Sequence, residues 1–195
     1  MDASPVRLIL MYFIVPLWLA AGVADWLCHR RAKIQSNASY PESLLHLLML
    51  AEIGAPVLIV LFFQVDALVL AIGAAAFVAH EATAFWDVAY AVRHRVVSPI
   101  EQMVHSFLEL VPLTALVCLV ALHWDQFLAL FGIGHAAPDF SLRLRQPPLP
   151  IAYLVATLIC VVVFEALPFG EELVRCLLAR RRPAARSGRV GETAS

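Results

Sequence analysis

Charged residues are scarce in this chain: Asp, Glu, Lys and Arg make up 15% of its 195 residues, against about 25% in soluble domains. The formal net charge is -1, so no basic field attracts a polyanion, and a nucleic-acid-binding protein is excluded. Hydrophobic residues account for 62% of the chain, and the mean hydropathy is +0.81. This composition excludes an ordinary soluble domain and a disordered chain, and it predicts an integral membrane protein surrounded by lipid.

Two motifs are also missing. The cysteines have no close spacing, which argues against a disulfide framework and against a thiolate zinc site. No G-x-G-x-x-G segment occurs, so the chain carries no dinucleotide-binding fingerprint. If the protein performs redox chemistry, we expect the electrons to come from a separate donor protein. The four cysteines are Cys28, Cys118, Cys160 and Cys176.

Long apolar stretches, in contrast, are abundant. Crossing a bilayer takes about 20 apolar residues, and five stretches reach that length, which predicts an all-α polytopic bundle forming one transmembrane domain over residues 1–182. A loop over 123–148 is expected outside the membrane, with a helix lying at the interface, and 183–195 are expected to form a disordered cytoplasmic tail. The predicted spans are residues 8–27, 43–63, 67–90, 101–123 and 149–169.

The basic residues predict the orientation. Of the fourteen Lys and Arg residues, eleven lie in the connections after spans one and three or in the segment after span five. Positive charge stays in the cytoplasm, so we expect a bacterial inner-membrane protein with its N-terminus outside and its C-terminus cytoplasmic. The first span has a second interpretation as a signal peptide cleaved after Ala24, although the basic run that follows it favours a retained span.

Ionisable residues inside the spans indicate a functional site, because they are costly in a membrane. They gather toward the cytoplasmic side, and several share a helix face: Asp25 lies four residues before His29, and His105 four before Glu109. Imidazole and carboxylate groups that project from four helices predict a site for two metal ions. The predicted ligands are Asp25, His29, His46, Glu52, His80, Asp87, His105 and Glu109.

Three glutamates are expected to support this site rather than form it: Glu42, Glu81 and Glu101. Two of them, Glu42 and Glu101, each follow a serine by three residues with a proline between, which is the pattern of a helix capping box. Glu81 points about 100° away from its neighbour His80 on a helix. Glu165 in span five has two interpretations, as the partner of an arginine or as the mark of a helix end.

A loose internal repeat accompanies these residues. The pattern D…H-R…P-E-x-x-x-H that begins at Asp25 recurs as D…H-R…P-x-E-x-x-x-H from Asp87. Each copy is a span that enters the cytoplasm, a basic turn and a span that leaves. Two such hairpins in the same orientation would be related by an axis along the membrane normal and would enclose two ions between them.

With its histidines at the cytoplasmic ends of membrane helices, the chain resembles, at class level, the integral-membrane di-iron hydroxylases and desaturases. The resemblance rests on His29, His46, His80 and His105 with Asp25 and Asp87. The dense H-x-x-x-H and H-x-x-H-H boxes of that class do not occur here, and carboxylates are more numerous. The resemblance implies two metal ions, iron before manganese or zinc, and oxidation of a hydrophobic substrate with dioxygen.

Three other functions stay open. A haem protein would use two histidines from facing helices, such as His46 and His105, but it leaves the carboxylates without a role. A proton or metal transporter would use the carboxylates, but it needs a polar path through the apolar outer halves of the spans. A non-enzymatic membrane factor would use the polar cluster for packing alone. The sequence favours a metal-dependent membrane oxidoreductase.

Overall fold

Five long helices follow one another in the computed structural model, which describes residues 4–37 and 39–181. All five are long and apolar enough to cross a bilayer, and the described residues contain no β-strand beyond a single bridge between Phe63 and Leu144. The predicted all-α polytopic fold is confirmed. The helices are α1 (Pro5–Ala32), α2 (Ser39–Phe62), α3 (Ala67–His94), α4 (Pro99–Leu122) and α5 (Ile151–Arg181).

The helices extend beyond the predicted spans, most of all α5. The predicted fifth span stops at residue 169, whereas α5 continues to Arg181. This extension brings Glu172, which lies beyond the predicted fifth span, into the bundle, where it is fully buried. The predicted tail at 183–195 lies outside the described residues.

The loop between α4 and α5 has less helix than expected. A short helix at Trp124–Ala129 is its helical part, and the rest of the loop returns across the end of α2. Backbone hydrogen bonds fasten it there, from Gln64 N to the Arg143 carbonyl at 2.9 Å and from Arg145 N to the Phe62 carbonyl at 2.8 Å. The loop therefore lies at one end of the bundle, which we call the far end.

Opposite the far end is the polar end, where α1 connects to α2 and α3 to α4. In the middle of the bundle, a core cluster of apolar residues includes Ile14, Trp18, Leu19 and Val111. At the polar end the largest fully buried side chains are mostly ionisable, against the general rule for protein interiors. The fold therefore encloses a polar chamber rather than a second apolar core.

Two helices contain a π-helical turn, a feature that is frequent at functional sites. One lies at Leu10–Ile14 in α1 and the other at Val162–Ala166 in α5. The second turn carries Glu165, which is 1% exposed, and places its carboxylate against Gly22 of α1. A Cβ on Gly22 would overlap that carboxylate, so any larger residue at this position would force the Glu165 side chain to move.

Candidate metal centre

Two imidazole rings lie face to face at the middle of the polar end. The rings of His29 on α1 and His46 on α2 are 4.2 Å apart between centroids and 5° from parallel. Their Nδ1 atoms lie 3.1 Å and 2.7 Å from the two oxygens of one carboxylate, that of Glu172 on α5. A carboxylate that accepts from Nδ1 fixes the tautomer and leaves Nε2 as the free lone pair.

The free Nε2 atoms face further carboxylates. His29 Nε2 lies 3.4 Å from Asp25 Oδ1 and 3.4 Å from Glu101 Oε1, and His46 Nε2 lies 3.4 Å from Asp87 Oδ1. Within the described chain, neither Nε2 atom nor Asp87 Oδ1 has a hydrogen-bond partner. Each such buried group costs about 1–3 kcal/mol. A cation among them would satisfy nitrogen and oxygen atoms together, so the residues fit a metal ion.

Contacts across the site follow the internal repeat. Asp25 from the first hairpin lies 2.9 Å from His105 Nε2 of the second, and Asp87 from the second pairs with His46 of the first at 3.4 Å. The aspartate of each unit therefore meets the histidine of the other. This exchange supports the proposed repeat. His29 corresponds in the repeat to His94, which lies seven rather than four residues after Asp87 and donates from Nδ1 to the Tyr90 carbonyl instead.

Arg95 joins the two hairpins at the mouth of the chamber. Its Nε donates to Glu42 at 3.0 Å and its Nη1 to Glu101 at 3.0 Å, and its side chain is 2% exposed. Burial alone would lower the pKa of Arg95, but the hydrogen bonds to Glu101 and Glu42 outweigh it and raise that pKa above its ordinary value. Arg95 therefore carries a permanent charge inside the protein.

The capping predictions have different outcomes. Glu101 does form a capping box with Ser98 at the start of α4, so that prediction is confirmed, but the same carboxylate also binds Arg95 and approaches His29. Glu42 binds Arg95 as well. Its predicted cap partner Ser39 has a side chain outside the described part. Both glutamates thus belong to the polar network.

The polar end holds more negative than positive fixed charge. Among the described residues, six carboxyl groups are buried there, and the buried fixed cation is Arg95. Fully ionised, with neutral histidines, these groups leave an excess of five negative charges. Burying an unpaired charge costs several kcal/mol, and two divalent ions would reduce the excess to one. The six carboxyl groups are those of Asp25, Glu42, Asp87, Glu101, Glu165 and Glu172.

The other predicted ligands lie deeper, away from the stacked histidines. His80 Nδ1 is 3.9 Å from Glu52 Oε2, and Glu52 also accepts a hydrogen bond from Thr83 at 2.9 Å. Both ring nitrogens of His80 lack a hydrogen-bond partner in the described chain. Glu81 is half-buried on α3, with one oxygen that is buried without a partner.

A cavity of about 50 Å³ connects the deep and shallow groups. This is room for an ion or a water molecule, whose share of liquid volume is about 30 Å³. Ile53, Leu50 and Met49 form part of its apolar wall. The polar cluster therefore faces an apolar wall across this cavity. Its ionisable lining residues are Asp25, His46, His80, Asp87, His105, Glu109 and Glu165.

Two groups of ligand atoms are close enough to share one ion. Asp25, His29 and His105 form one group, and His29, Glu42 and His46 form the other, each with its atoms within 4.8 Å of one another. The two groups overlap at His29, between the hairpins. Of the predicted ligands, the structure therefore brings Asp25, His29, His46, Asp87 and His105 together, while His80 and Glu109 line the cavity beside them and Glu52 lies next to His80.

Sequence reasoning missed two residues of this network, Glu172 and Arg95. Glu165 and Glu172 are seven residues apart, which places them on one face of a continuous helix. That spacing was the available signal, but it shows only if the fifth span is extended past residue 169. Arg95 was counted among the basic loop residues that set the orientation.

Comparison with known proteins gives no match for this chain, whether against family models, characterised proteins or solved structures. The site therefore has to be interpreted from its own geometry.

Proposed function

We propose that this chain is a metal-dependent membrane oxidoreductase, an oxidase, hydroxylase or desaturase that acts on a hydrophobic substrate at a site for two metal ions. The observation that carries the proposal is the pair of stacked histidines on Glu172. Two imidazoles held by one carboxylate, with their Nε2 atoms free and facing carboxylates, form a preorganised ligand set.

The residues divide between two ions. Asp25, His29 and His105 suit one ion, and His46 with Asp87 suits the other. His80, Glu52 and Glu109 would complete the site from its deeper side. Imidazole and carboxylate donors without thiolate suit iron, manganese or zinc, and oxidation chemistry favours iron among these. Glu42, Glu81 and Glu101 remain supporting residues.

Bound iron would supply the activation of dioxygen. The protein itself would hold the Nδ1 protons of both histidines on Glu172 and balance charge with Arg95. Glu165, whose Oε1 lacks a hydrogen-bond partner among the described residues, would pass protons inside the cavity. In a hydroxylation, one oxygen atom of dioxygen enters a C–H bond and the other leaves as water, with two electrons and two protons from a donor protein.

The distribution of charge supports an orientation for this chemistry. Under the positive-inside rule, the polar end faces the cytoplasm of a bacterial cell and the far end faces outward. A cytoplasmic electron donor would then dock near Arg95 and the α3–α4 connection. The hydrophobic substrate would reach the cavity from the lipid side.

The rival functions fit the geometry less well. A cavity of about 50 Å³ has no room for a porphyrin, and His46 is engaged with His29 and Glu172 rather than facing His105 across an open space. A transporter needs polar groups across the far half of the bundle. The residues that line the interior there, from Ile53 on α2 to Leu119 on α4, are apolar. A packing role alone leaves the buried Nε2 atoms of His29 and His46 without a hydrogen-bond partner in the described chain.

Dioxygen uptake by the purified protein tests the proposal. After anaerobic loading with Fe²⁺ in detergent, exposure to air should consume dioxygen in proportion to protein, with an absorption change but no Soret band. A His105→Ala variant should lose this uptake, while the control Arg143→Gln, on the exposed loop, should keep it. Uptake that is equal in His105→Ala and wild type would contradict the proposal, and a Soret band would favour the haem alternative.

A further inference from the structure

A second and larger cavity lies in the far half of the bundle, away from the metal centre. It has a volume of about 170 Å³ and is bounded by all five helices and by the loop after α4. Its wall is apolar over most of its length, with Val57, Phe77 and Leu116 among the lining residues. The charged lining residues all lie at the far end, so the cavity has one basic end and an apolar body.

The basic end of this cavity is formed by Arg7 and Arg145, with His123 beside them. Within the described chain, no carboxylate lines the cavity, and none lies within ion-pair distance of either arginine. Arg145 donates from Nη2 to the Val60 carbonyl at 2.7 Å, while its Nε is buried without a partner. The cavity therefore offers hydrogen-bond donors and positive charge that the described protein does not satisfy.

The basic groups also repel one another. Burial first, and then the charge of Arg7, lowers the pKa of Arg145 below its ordinary value. Burial, followed by the charges of Arg145 and Arg7, likewise lowers the pKa of His123, and the opposing charge of Asp66 does not cancel this effect. An anion between the two arginines would relieve the repulsion, and a carboxylate matches the forked geometry of a guanidinium.

The apolar wall determines the rest of the ligand. An inorganic anion would leave the apolar volume unfilled, and a neutral hydrocarbon would leave the buried Nε of Arg145 unpaired, which is costly. A volume near 170 Å³ is on the scale of the apolar cavity of about 150 Å³ that encloses one benzene molecule. The cavity therefore has room for one ring, and a rigid ring loses less conformational entropy on binding than a flexible chain.

We propose that the far cavity binds a small monocyclic carboxylate of the size of benzoate, with its carboxylate between Arg7 and Arg145 and its ring against Val57. Val60, which accepts a hydrogen bond from Arg145, lies three residues from Val57, or about 4.5 Å along α2. A ring joined directly to the carboxylate therefore reaches Val57. His46 lies eleven residues further along α2, about 16 Å from Val57, so this ligand is not the substrate, and the site goes beyond the proposed function.

Binding of radiolabelled benzoate to the purified full chain in detergent tests the recognition of charge. Wild type should bind one benzoate per chain, and Arg145→Gln should weaken binding about 10- to 100-fold, as for the loss of one charge-assisted hydrogen bond. The matched control is Arg143→Gln, two residues away on the same loop, where the arginine is exposed and pairs with Asp139. Wild type without saturable binding, or equal affinities for wild type and Arg145→Gln, would overturn the proposal.

Competition experiments test the chemistry of the ligand. Benzamide has the ring without the charge and acetate has the charge without the ring, so each should compete at least about 10-fold more weakly than benzoate. Inorganic phosphate that competes as well as benzoate would indicate a site for any anion. Phosphatidylglycerol that competes better would indicate a site for a lipid headgroup. Either result would overturn the proposal.

A pair of variants on α3 tests the position of the ring. Ala76 lines the cavity, whereas Ala74 on the same helix is exposed and does not. Ala76→Leu should fill the cavity and weaken benzoate binding about 10-fold or more, while Ala74→Leu should bind as wild type does. Equal affinities for these two variants would overturn the placement. His105→Ala should lose metal and keep benzoate, and a variant that loses both would assign the ligand to the metal centre and overturn the proposal.

Discussion

Replacing Glu172 by glutamine removes the charge from the carboxylate that holds both stacked histidines. Glu172 is fully buried and lies 3.1 Å from Nδ1 of His29 and 2.7 Å from Nδ1 of His46. The variant preserves the volume of the side chain, so the packing of α5 should survive. The substitution weakens the hydrogen bonds that hold the two rings in the orientation that leaves Nε2 free.

The size of the effect follows from these two hydrogen bonds. A hydrogen bond to a charged group contributes about 1.5–3 kcal/mol, and a neutral one about 0.5–1.5 kcal/mol. Glutamine retains one neutral acceptor oxygen, so one of the two charged hydrogen bonds becomes neutral and the other is lost. We therefore expect metal affinity to fall about 10- to 100-fold, the range for partners that orient metal-binding histidines.

The neighbouring residue provides a matched control. Glu171 is 40% exposed and pairs with Arg30 at the surface of the polar end, so Glu171→Gln changes the net charge equally without touching the histidines. Chelator-treated protein is titrated with Zn²⁺, and bound metal is measured at each free concentration. Equal affinities for Glu172→Gln and wild type, or an equal loss in Glu171→Gln, would refute the role of Glu172.

Three further predictions concern stability and topology. Ser98→Ala should cost about 0.5–2 kcal/mol of unfolding free energy, as for a lost helix cap. Glu101→Ala should cost about 3–5 kcal/mol, because it also breaks a buried ion pair. Equal costs for the two variants in a denaturant titration would show that Glu101 acts only as a helix cap. Gly22→Ala should cost about 1–3 kcal/mol of unfolding free energy, because the new Cβ collides with the Glu165 carboxylate. The control Gly54→Ala, which has open space around the new Cβ, should cost nothing. Equal melting temperatures for the two variants would disprove the contact between Gly22 and Glu165. Reporter fusions should place the N-terminus outside and the C-terminus in the cytoplasm, and the opposite result would reverse the site's orientation.

The sequence was sufficient for the fold and for the centre of the site. A membrane offers so few stable architectures that five apolar stretches already specify a helical bundle. Charged groups within such spans must be enclosed, so the spacing of Asp25, His46, Asp87 and His105 on separate helices predicted their meeting. The structure brings these four residues into contact across the two hairpins.

The sequence was insufficient where burial depends on a partner. In the sequence, Arg95 lies in a basic turn of the kind that is usually exposed to solvent. Its burial becomes favourable because Glu42 and Glu101, from two other helices' ends, both accept hydrogen bonds from it. Glu172 lies beyond the apolar part of α5, in a segment too polar to be predicted as part of the fifth span. Mean hydropathy is an average over neighbouring residues, so it does not detect a single residue that faces inward from an otherwise polar turn.

The metal content of the purified protein tests the central claim most directly. Elemental analysis of wild type should find about two ions of iron, manganese or zinc per chain, and His105→Ala, which removes a nitrogen 2.9 Å from Asp25, should bind less. The control Arg143→Gln should retain the wild-type content. Wild-type protein that is fully stable without metal, and that takes up none when Fe²⁺, Mn²⁺ and Zn²⁺ are supplied, would contradict the account.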